Sequence, residues 1–250
     1  MSSAPTISQQ QATELAAQVA TRRGATWLQR IDEAAAALVA VTRHLLPGDL
    51  SHKQLVVLAG VGNTGAVGLA AARALNGLGA EVRIVLSAKP ERLHAMAAHQ
   101  LALARDEGLE PWGLGLDEAA MSTMEPVPWH AADLLIDALL GGGIEGNPRG
   151  EMADLVRLIN ATRRLILSLD RPTGLEGDEG MIRSPSVDAA ATLVLGVPQH
   201  AHREGWPIVG ELWLADMEAI EEDYAALALP IPADWIGFGG VRHIGSGRSL

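Results

Sequence analysis

The chain of 250 residues contains no cysteine. That absence removes disulfides, thiolate metal centres and cysteine nucleophiles together. Basic residues are also short, 19 Lys and Arg against 30 Asp and Glu, for a formal charge of -11. A surface with no basic excess has no counterions to release from a phosphate backbone, so no nucleic-acid partner is expected. No apolar run approaches the ~20 residues that a bilayer-spanning helix needs, so no membrane partner is expected either. The N-terminal "MSSAPTISQQQATELAAQ" lacks a basic segment followed by an apolar stretch, so no secretory signal is read and a cytoplasmic protein is the expectation. Hydrolase signatures of the His-Glu-x-x-His, Gly-x-Ser-x-Gly and Ser-x-x-Lys kinds are missing as well.

What is present is an apolar half, 48% of the chain, enough for a substantial core. Residues 7–44 read as helical, rich in Ala, Leu, Gln and Arg, with a break at Gly24 and an end at Pro47-Gly48. Beyond them the pattern alternates. Apolar strands are predicted at 54–60, 81–87, 133–140, 164–170, 190–196 and 210–216, with helices at 66–79, 90–107 and 150–162. Strands alternating with helices specify an α/β fold, a three-layer αβα sandwich around a mostly parallel sheet, with an N-terminal helical region. Residues 1–220 form a single domain in this reading, and 221–250 a C-terminal extension or arm.

The stretch "VVLAGVGNTGAVG" at 56–68 carries Gly60-x-Gly62-x-x-Gly65 between a strand and a small-residue helix. Glycines let backbone approach a ligand, and the helix aims free N–H groups at it. An ordinary redox dinucleotide site also needs an acid at the end of the second strand to hold the ribose. Here that strand ends "LSAKP", so the redox reading loses its anchor. A phosphate loop fails too, because no Gly-Lys-Ser/Thr follows. Two other strand ends carry polar turns: "IDALLGGG", with Asp137, and "SLDRPTGLEGDEG", with Asp170 and Thr173. Loops after parallel strands share one sheet edge, where ligands bind. Asn63, Asp137, Asp170 and Thr173 are therefore expected to converge.

The ordered set "GNTGAVG … IDALLGGGIEGNPRG … SLDRPTGLEGDEG … LVLGVPQHA … GELWLAD" resembles the NAD(P)H-hydrate epimerase family from about residue 10 to 217. The resemblance implies a Rossmann-like domain, often dimeric, that interconverts the two epimers of hydrated NADH or NADPH with a bound potassium ion. Carried over by position, it implies that Asn63, Thr64, Gly65, Ala66 and Val67 line the substrate. Gly141, Gly142, Gly143, Ile144, Glu145, Gly146 and Asn147 would contact its pyrophosphate. Asp170 would manage protons at the nicotinamide ring, with Lys89 a basic residue nearby. Thr64, Asp137 and Thr173 would be the potassium ligands. One positioned carboxylate suits the chemistry, since epimerising a carbinolamine needs water to leave and return.

The chain departs from the family pattern in the first turn, where Thr64, Ala66 and Val67 replace Asn, Gly and Asp. Arg171 replaces an aliphatic residue beside Asp170, and Thr173 replaces a serine. Two readings follow: an epimerase, or a catalytically inactive nucleotide-binding or scaffold protein on the same fold. Elsewhere, His94 and His99 stand five apart on a helix and share no face. His200 and His202 fall in a loop on the ligand edge, where a substrate contact is expected ahead of a metal. Asp178 and Glu179 read as solvated loop charge. Asp32 and Glu33 are the polar positions of a helix that is expected to pack rather than react.

Overall fold

The computed structural model describes residues 4–113, 127–142 and 146–246. Two helices open the chain, α1 (Gln9–Arg23) and α2 (Trp27–Leu45). Each begins at a reciprocal cap: Ser8 and Thr26 accept from the backbone N–H three residues on, and the Gln11 and Gln29 side chains reach back. The predicted break at Gly24 is where α1 stops, with φ at 63°. Arg23 then ties the end of α1 to Glu33 of α2 at 2.9 Å, so Glu33 serves packing, while Asp32 is exposed.

From there strands and helices alternate: β1 (Gln54–Ala59), α3 (Asn63–Gly77), β2 (Glu81–Leu86), α4 (Ala95–Asp106), β3 (Trp112–Gly113) and β4 (Leu134–Ala138). They continue as α5 (Gly150–Ala161), β5 (Ile166–Leu169), the short ribbon β6 (Leu175–Glu176) and β7 (Met181–Ile182), then β8 (Ala191–Leu195). Two short helices, α6 (His200–Glu204) and α7 (Trp206–Val209), lead to β9 (Glu211–Ala215), α8 (Glu221–Ala226) and β10 (Val241–Ser246). The helix expected over 90–107 is a 3-10 turn at Pro90–Arg92 followed by α4 from Ala95. Leu93 and His94 between them are extended.

Among the described residues the main sheet has eight strands in the order β10-β9-β8-β5-β4-β1-β2-β3. All neighbours are parallel except β10, which runs antiparallel to β9. The chain leaves β1 toward β2 and β3, then returns to place β4 on β1's other side. That reversal between β1 and β4 is a topological switch point, and it opens a crevice at the strands' carboxyl ends. Alternation along each strand divides the core. Leu55, Val57, Leu134 and Ile136 pack under α2, α3 and α4, whereas Val56, Leu58 and Leu135 pack with Val156 and Ile159 of α5. Ile7, Leu15 and Val19 cover the carboxyl edge together with Val197, Tyr224 and Leu229. The segment after residue 220 thus contributes to this edge cluster, and β10 lengthens the sheet by a strand that the apolar pattern does not announce.

Close approach, more than backbone conformation, requires the glycines of the first turn. A Cβ at Gly60 would stand 1.8 Å from the Leu139 carbonyl oxygen, and one at Gly65 would stand 1.9 Å from that of Gly60. Gly62 is open, its nearest neighbour being the His94 Nδ1 at 3.9 Å. Gly65→Ala is therefore expected to cost about 1–3 kcal/mol or more through overpacking. Gly62→Ala should stay within about 0.5 kcal/mol of wild type, as open-site changes do. Urea unfolding of the two variants checks the contrast.

Candidate functional site at the carboxyl edge of the sheet

Asp137 is buried near the carboxyl end of β4. Register pairs it with Ser168 across β4 and β5, which puts both side chains on one face. The carboxylate accepts from Ser168 Oγ at 2.9 Å, Thr173 N at 2.8 Å, Thr173 Oγ1 at 2.7 Å and Leu139 N at 3.2 Å. It is only 1% exposed. Burial pushes its pKa up, and the four donors pull the other way. Thr173 Oγ1 also accepts from the Leu140 N–H at 3.2 Å, fixing the turn that follows β4.

Asp170 stands at the carboxyl end of β5 in a different setting. Its φ is 65°, a left-handed conformation that non-glycine residues rarely hold. Its N–H donates to Leu193 O at 2.7 Å, and its half-buried carboxylate accepts from Gly142 N at 3.2 Å. Gly141 lies between it and the first turn. A Cβ there would meet Thr64 Oγ1 at 2.5 Å and Asp170 Oδ2 at 3.4 Å. Thr64 and Asp170 therefore face one another across Gly141, with room for nothing larger than glycine between.

Arg171 turns away from that space. It is 1% exposed, donates to the Gln199 side chain, and reaches the Gly177 carbonyl at 3.4 Å. Burial lowers its pKa, opposed by the charges of Asp170 and Asp178. Asp178 is not free solvated charge as its loop position suggests. Its carboxylate accepts the Gln9 N–H at 2.7 Å, capping the first turn of α1.

A cavity of about 450 Å³ opens at this edge. Asn63, Thr64, Val67 and Asp170 line one end, Trp27, Arg30 and Ile31 lie on the α2 side, and Tyr224, Trp235 and Phe238 come from the C-terminal segment. Its volume falls within the ~300–1,000 Å³ of small-molecule sites. Arg30 sits over the Trp27 ring at 4.5 Å and makes no ion pair among the described residues. The helix α3 starts at Asn63, earlier than the predicted 66, and has no side-chain cap and no acid in its first turn. Its N–H groups are therefore available to an anion at the cavity wall.

The expected residues do not all meet. Asn63 is exposed, Thr64 half-buried, and Val67 reaches the cavity. Gly65 and Ala66 are both buried, Ala66 completely, inside α3's packing against the sheet, and neither lines the cavity. Gly142 serves Asp170. The Gly146 N–H is taken by Glu176 at 2.7 Å, and the Asn147 side-chain oxygen accepts from Ser184 N at 3.3 Å. The Glu176 carboxyl is pushed down to about 2 by its bond to Arg183 and by the Gly146 N–H. Gly143, Ile144 and Glu145 lie outside the described residues. Lys89 is exposed ahead of the 3-10 turn and does not line the cavity.

His202, expected in a loop against substrate, is instead fully buried in α6, with its Nε2 2.6 Å from the Asp170 carbonyl oxygen. Spacing carried no sign of this, because the contact spans 32 residues. The cavity walls from Trp27, Trp235 and Phe238 were likewise unannounced. Among the described residues no group of three or more His, Asp or Glu could hold a metal ion, and no helix is long and apolar enough to cross a membrane.

Fold and cavity together give a Rossmann-like α/β protein with a 450 Å³ cavity at the carboxyl edge of its sheet, within the size range of small-molecule sites. Residues 28–201 match the family described as YjeF-related protein N-terminus. With that match and the relatives below, the chain belongs to the NAD(P)H-hydrate epimerase family. It is 32% identical to the NAD(P)H-hydrate epimerase of Truepera radiovictrix over 84% of this chain and 88% of that one. A protein of the same description from Dehalogenimonas lykanthroporepellens is 32% identical over 78% and 74%. The bifunctional NAD(P)H-hydrate repair enzyme Nnr of Moorella thermoacetica is 31% identical over 71% of this chain, which spans 33% of its length. The crystal structure of yeast ynu0, YNL200c, shares the fold at a TM-score of 0.77, with 17% identity over 96% of this chain and 99% of that one.

Burial lowers the His202 pKa below 6.5, against the pull of the Asp170 carbonyl and carboxylate and with the push of Arg171. The unfolded chain binds that proton below about 6.5 while the folded one resists it, so stability falls as pH drops through this value. His202→Gln removes the effect. The difference between wild type and variant in urea midpoint, followed from pH 7.5 to 5, should shrink steadily toward acid.

Proposed function

We propose that the chain is an epimerase that interconverts the R and S forms of hydrated NADH and NADPH, with Asp170 as acid and base. The observation that carries this is the Asp170 carboxylate, half-buried at the wall of a 450 Å³ cavity beside the uncapped N-terminus of α3. The helix end offers N–H groups to phosphate. In the reaction, the protonated Asp170 gives its proton to the ring hydroxyl as the C–O bond breaks and water leaves. The ring nitrogen's lone pair meets the electron demand at carbon. Water returning on the opposite face forms the new C–O bond, and the carboxylate takes the proton released. The family's relatives are named for this activity.

Substrate contacts in this proposal are Asn63, Thr64, Gly65, Ala66, Val67 and residues 141–147, with Lys89 as a basic residue near the substrate. Potassium belongs to the same proposal. Asp137 is a buried carboxylate with no ion pair among the described residues, and the hydroxyls of Thr64 and Thr173 are hard oxygen donors of the kind alkali cations take. Thr64, Asp137 and Thr173 would hold the ion, which would supply positive charge beside the substrate's anionic groups. The proposal also includes a homodimer acting in the cytoplasm, which light scattering tests for assembly and fractionation for place.

The reaction is tested by mixing the protein with the hydrate epimer that a stereospecific dehydratase refuses, and following NADH produced by that dehydratase. Wild type is expected to accelerate NADH formation. Asp170→Asn is expected to lower the rate by about 10²-fold or more at an unchanged melting temperature. A wild-type rate equal to spontaneous epimerisation sinks the reading in favour of a nucleotide-binding or scaffold role. For the ion, replacing KCl with LiCl should lower the melting temperature, and an unchanged melt removes potassium.

A further inference from the structure

Asp170 needs support that its own backbone does not provide. Its φ of 65° lies where L side chains are rarely found, and this conformation sets the direction in which the carboxylate leaves the chain. Two backbone bonds hold it there. The Asp170 N–H donates to Leu193 O at 2.7 Å, and its carbonyl oxygen meets His202 Nε2 at 2.6 Å. The tautomer follows from the ring's other side. Gln199 N–H donates to His202 Nδ1 at 2.9 Å, so Nδ1 carries no proton, and the Nε2–H is the donor to Asp170.

The donor is itself anchored. His202 is fully buried in α6, and its preceding loop is bound on both sides to the N-terminal segment: Ile7 N donates to Pro198 O at 3.0 Å and His200 N to Ile7 O at 2.9 Å. The Gln199 side chain receives the buried guanidinium of Arg171, the residue next to Asp170. The turn 199–202 thus grips the strand end twice, at the carbonyl of 170 and the side chain of 171. Asp170 and Arg171 are the charged groups beside the imidazole.

We infer that His202 is the positioning residue of this site, its Nε2–H locking Asp170 in the left-handed conformation that presents the carboxylate to the cavity. The inference rests on the reading of Asp170 as acid and base. Without the bond, Asp170 is free to relax to ordinary φ values and carry its carboxylate away from Gly142 and Thr64. A misplacement of about 1 Å at a reacting group can cost on the order of 10²-fold in rate.

The test compares His202→Ala, His202→Gln and Val209→Ala. Val209 is buried in α7, in the apolar cluster that also holds Ala201, and takes no part in the site. His202→Ala is expected to lower kcat about tenfold or more, with KM within about twofold, as loss of a transition-state arrangement does. Glutamine offers an N–H donor and an oxygen acceptor, so His202→Gln is expected to restore most of kcat. Val209→Ala, even where it melts as early as His202→Ala, is expected to keep kcat. A rise in KM at constant kcat, a well-folded His202→Gln with no recovery, or an equal loss in Val209→Ala each overturns the inference.

A second readout stands apart from catalysis. In ¹⁵N-labelled protein at pH 7, the His202 proton is expected on Nε2, and the Asp170 amide resonance should shift in His202→Ala and return in His202→Gln. A proton on Nδ1, or an Asp170 amide indifferent to both changes, overturns the inference. A wild type without epimerase activity instead sinks the reading of the reaction and leaves this second readout to judge His202.

Discussion

The carboxylate of Asp137 is the joint on which the candidate site depends. Four hydrogen bonds converge on it, from Ser168 of β5, from both the backbone and hydroxyl of Thr173, and from Leu139 past β4. A buried charge with fewer donors would cost the fold several kcal/mol. Satisfied, it fixes the end of β4 against the loop after β5, so that the turns carrying Gly141 and Asp170 face each other at a set distance. The Leu139 carbonyl in turn packs against Gly60, where no side chain fits. The first turn is thus seated on the second, and the second on the third.

Two aspartates at neighbouring strand ends therefore have opposite fates. Asp137 accepts four hydrogen bonds from protein and lies beyond solvent, so it ties the turns together. Asp170 accepts one backbone N–H at 3.2 Å, lies at the cavity wall, and keeps acceptor capacity for a ligand. Residue type is the same in both and each lies near a strand's carboxyl end, Asp137 inside β4 and Asp170 one residue beyond β5. Burial and donor count divide the roles.

The alternation of strands and helices was legible because the central strands are buried on both faces and read as unbroken apolar runs, such as Leu55 to Ala59. Gly60 and Gly65 were legible because close backbone approach calls for glycine there, whereas Gly62 stands open. What stayed hidden depended on contacts between distant segments. His202 meets Asp170 across 32 residues and looks like any loop histidine in sequence. The strand β10 contains Arg242, His243 and Gly245, is half exposed, and has a bulge between His243 and Gly245. An edge strand of that kind lacks the apolar run that marks a central one. The start of α3 was placed three residues late because Asn63 to Gly65 read as a loop, whereas they form the first turn of a helix packed on the sheet.

The segments inside and outside the family match occupy different parts of the site. The match over 28–201 covers the three turns, Asp137 and Asp170. Much of the cavity wall comes from outside it: Leu15 and Val19 of α1, Trp27 just before the match, and Tyr224, Trp235 and Phe238 after it. Four of the chain's eight aromatic residues gather at this one cavity, an uneven distribution in a sequence with only six Trp, one Tyr and one Phe. Aromatic walls favour a flat ring over a flexible chain, because stacking adds to area burial. Val67 adds a further apolar side chain to the lining of that space. The turns that carry Asp137 and Asp170 thus lie within the family match, while much of the wall in front of Asp170 comes from segments outside it.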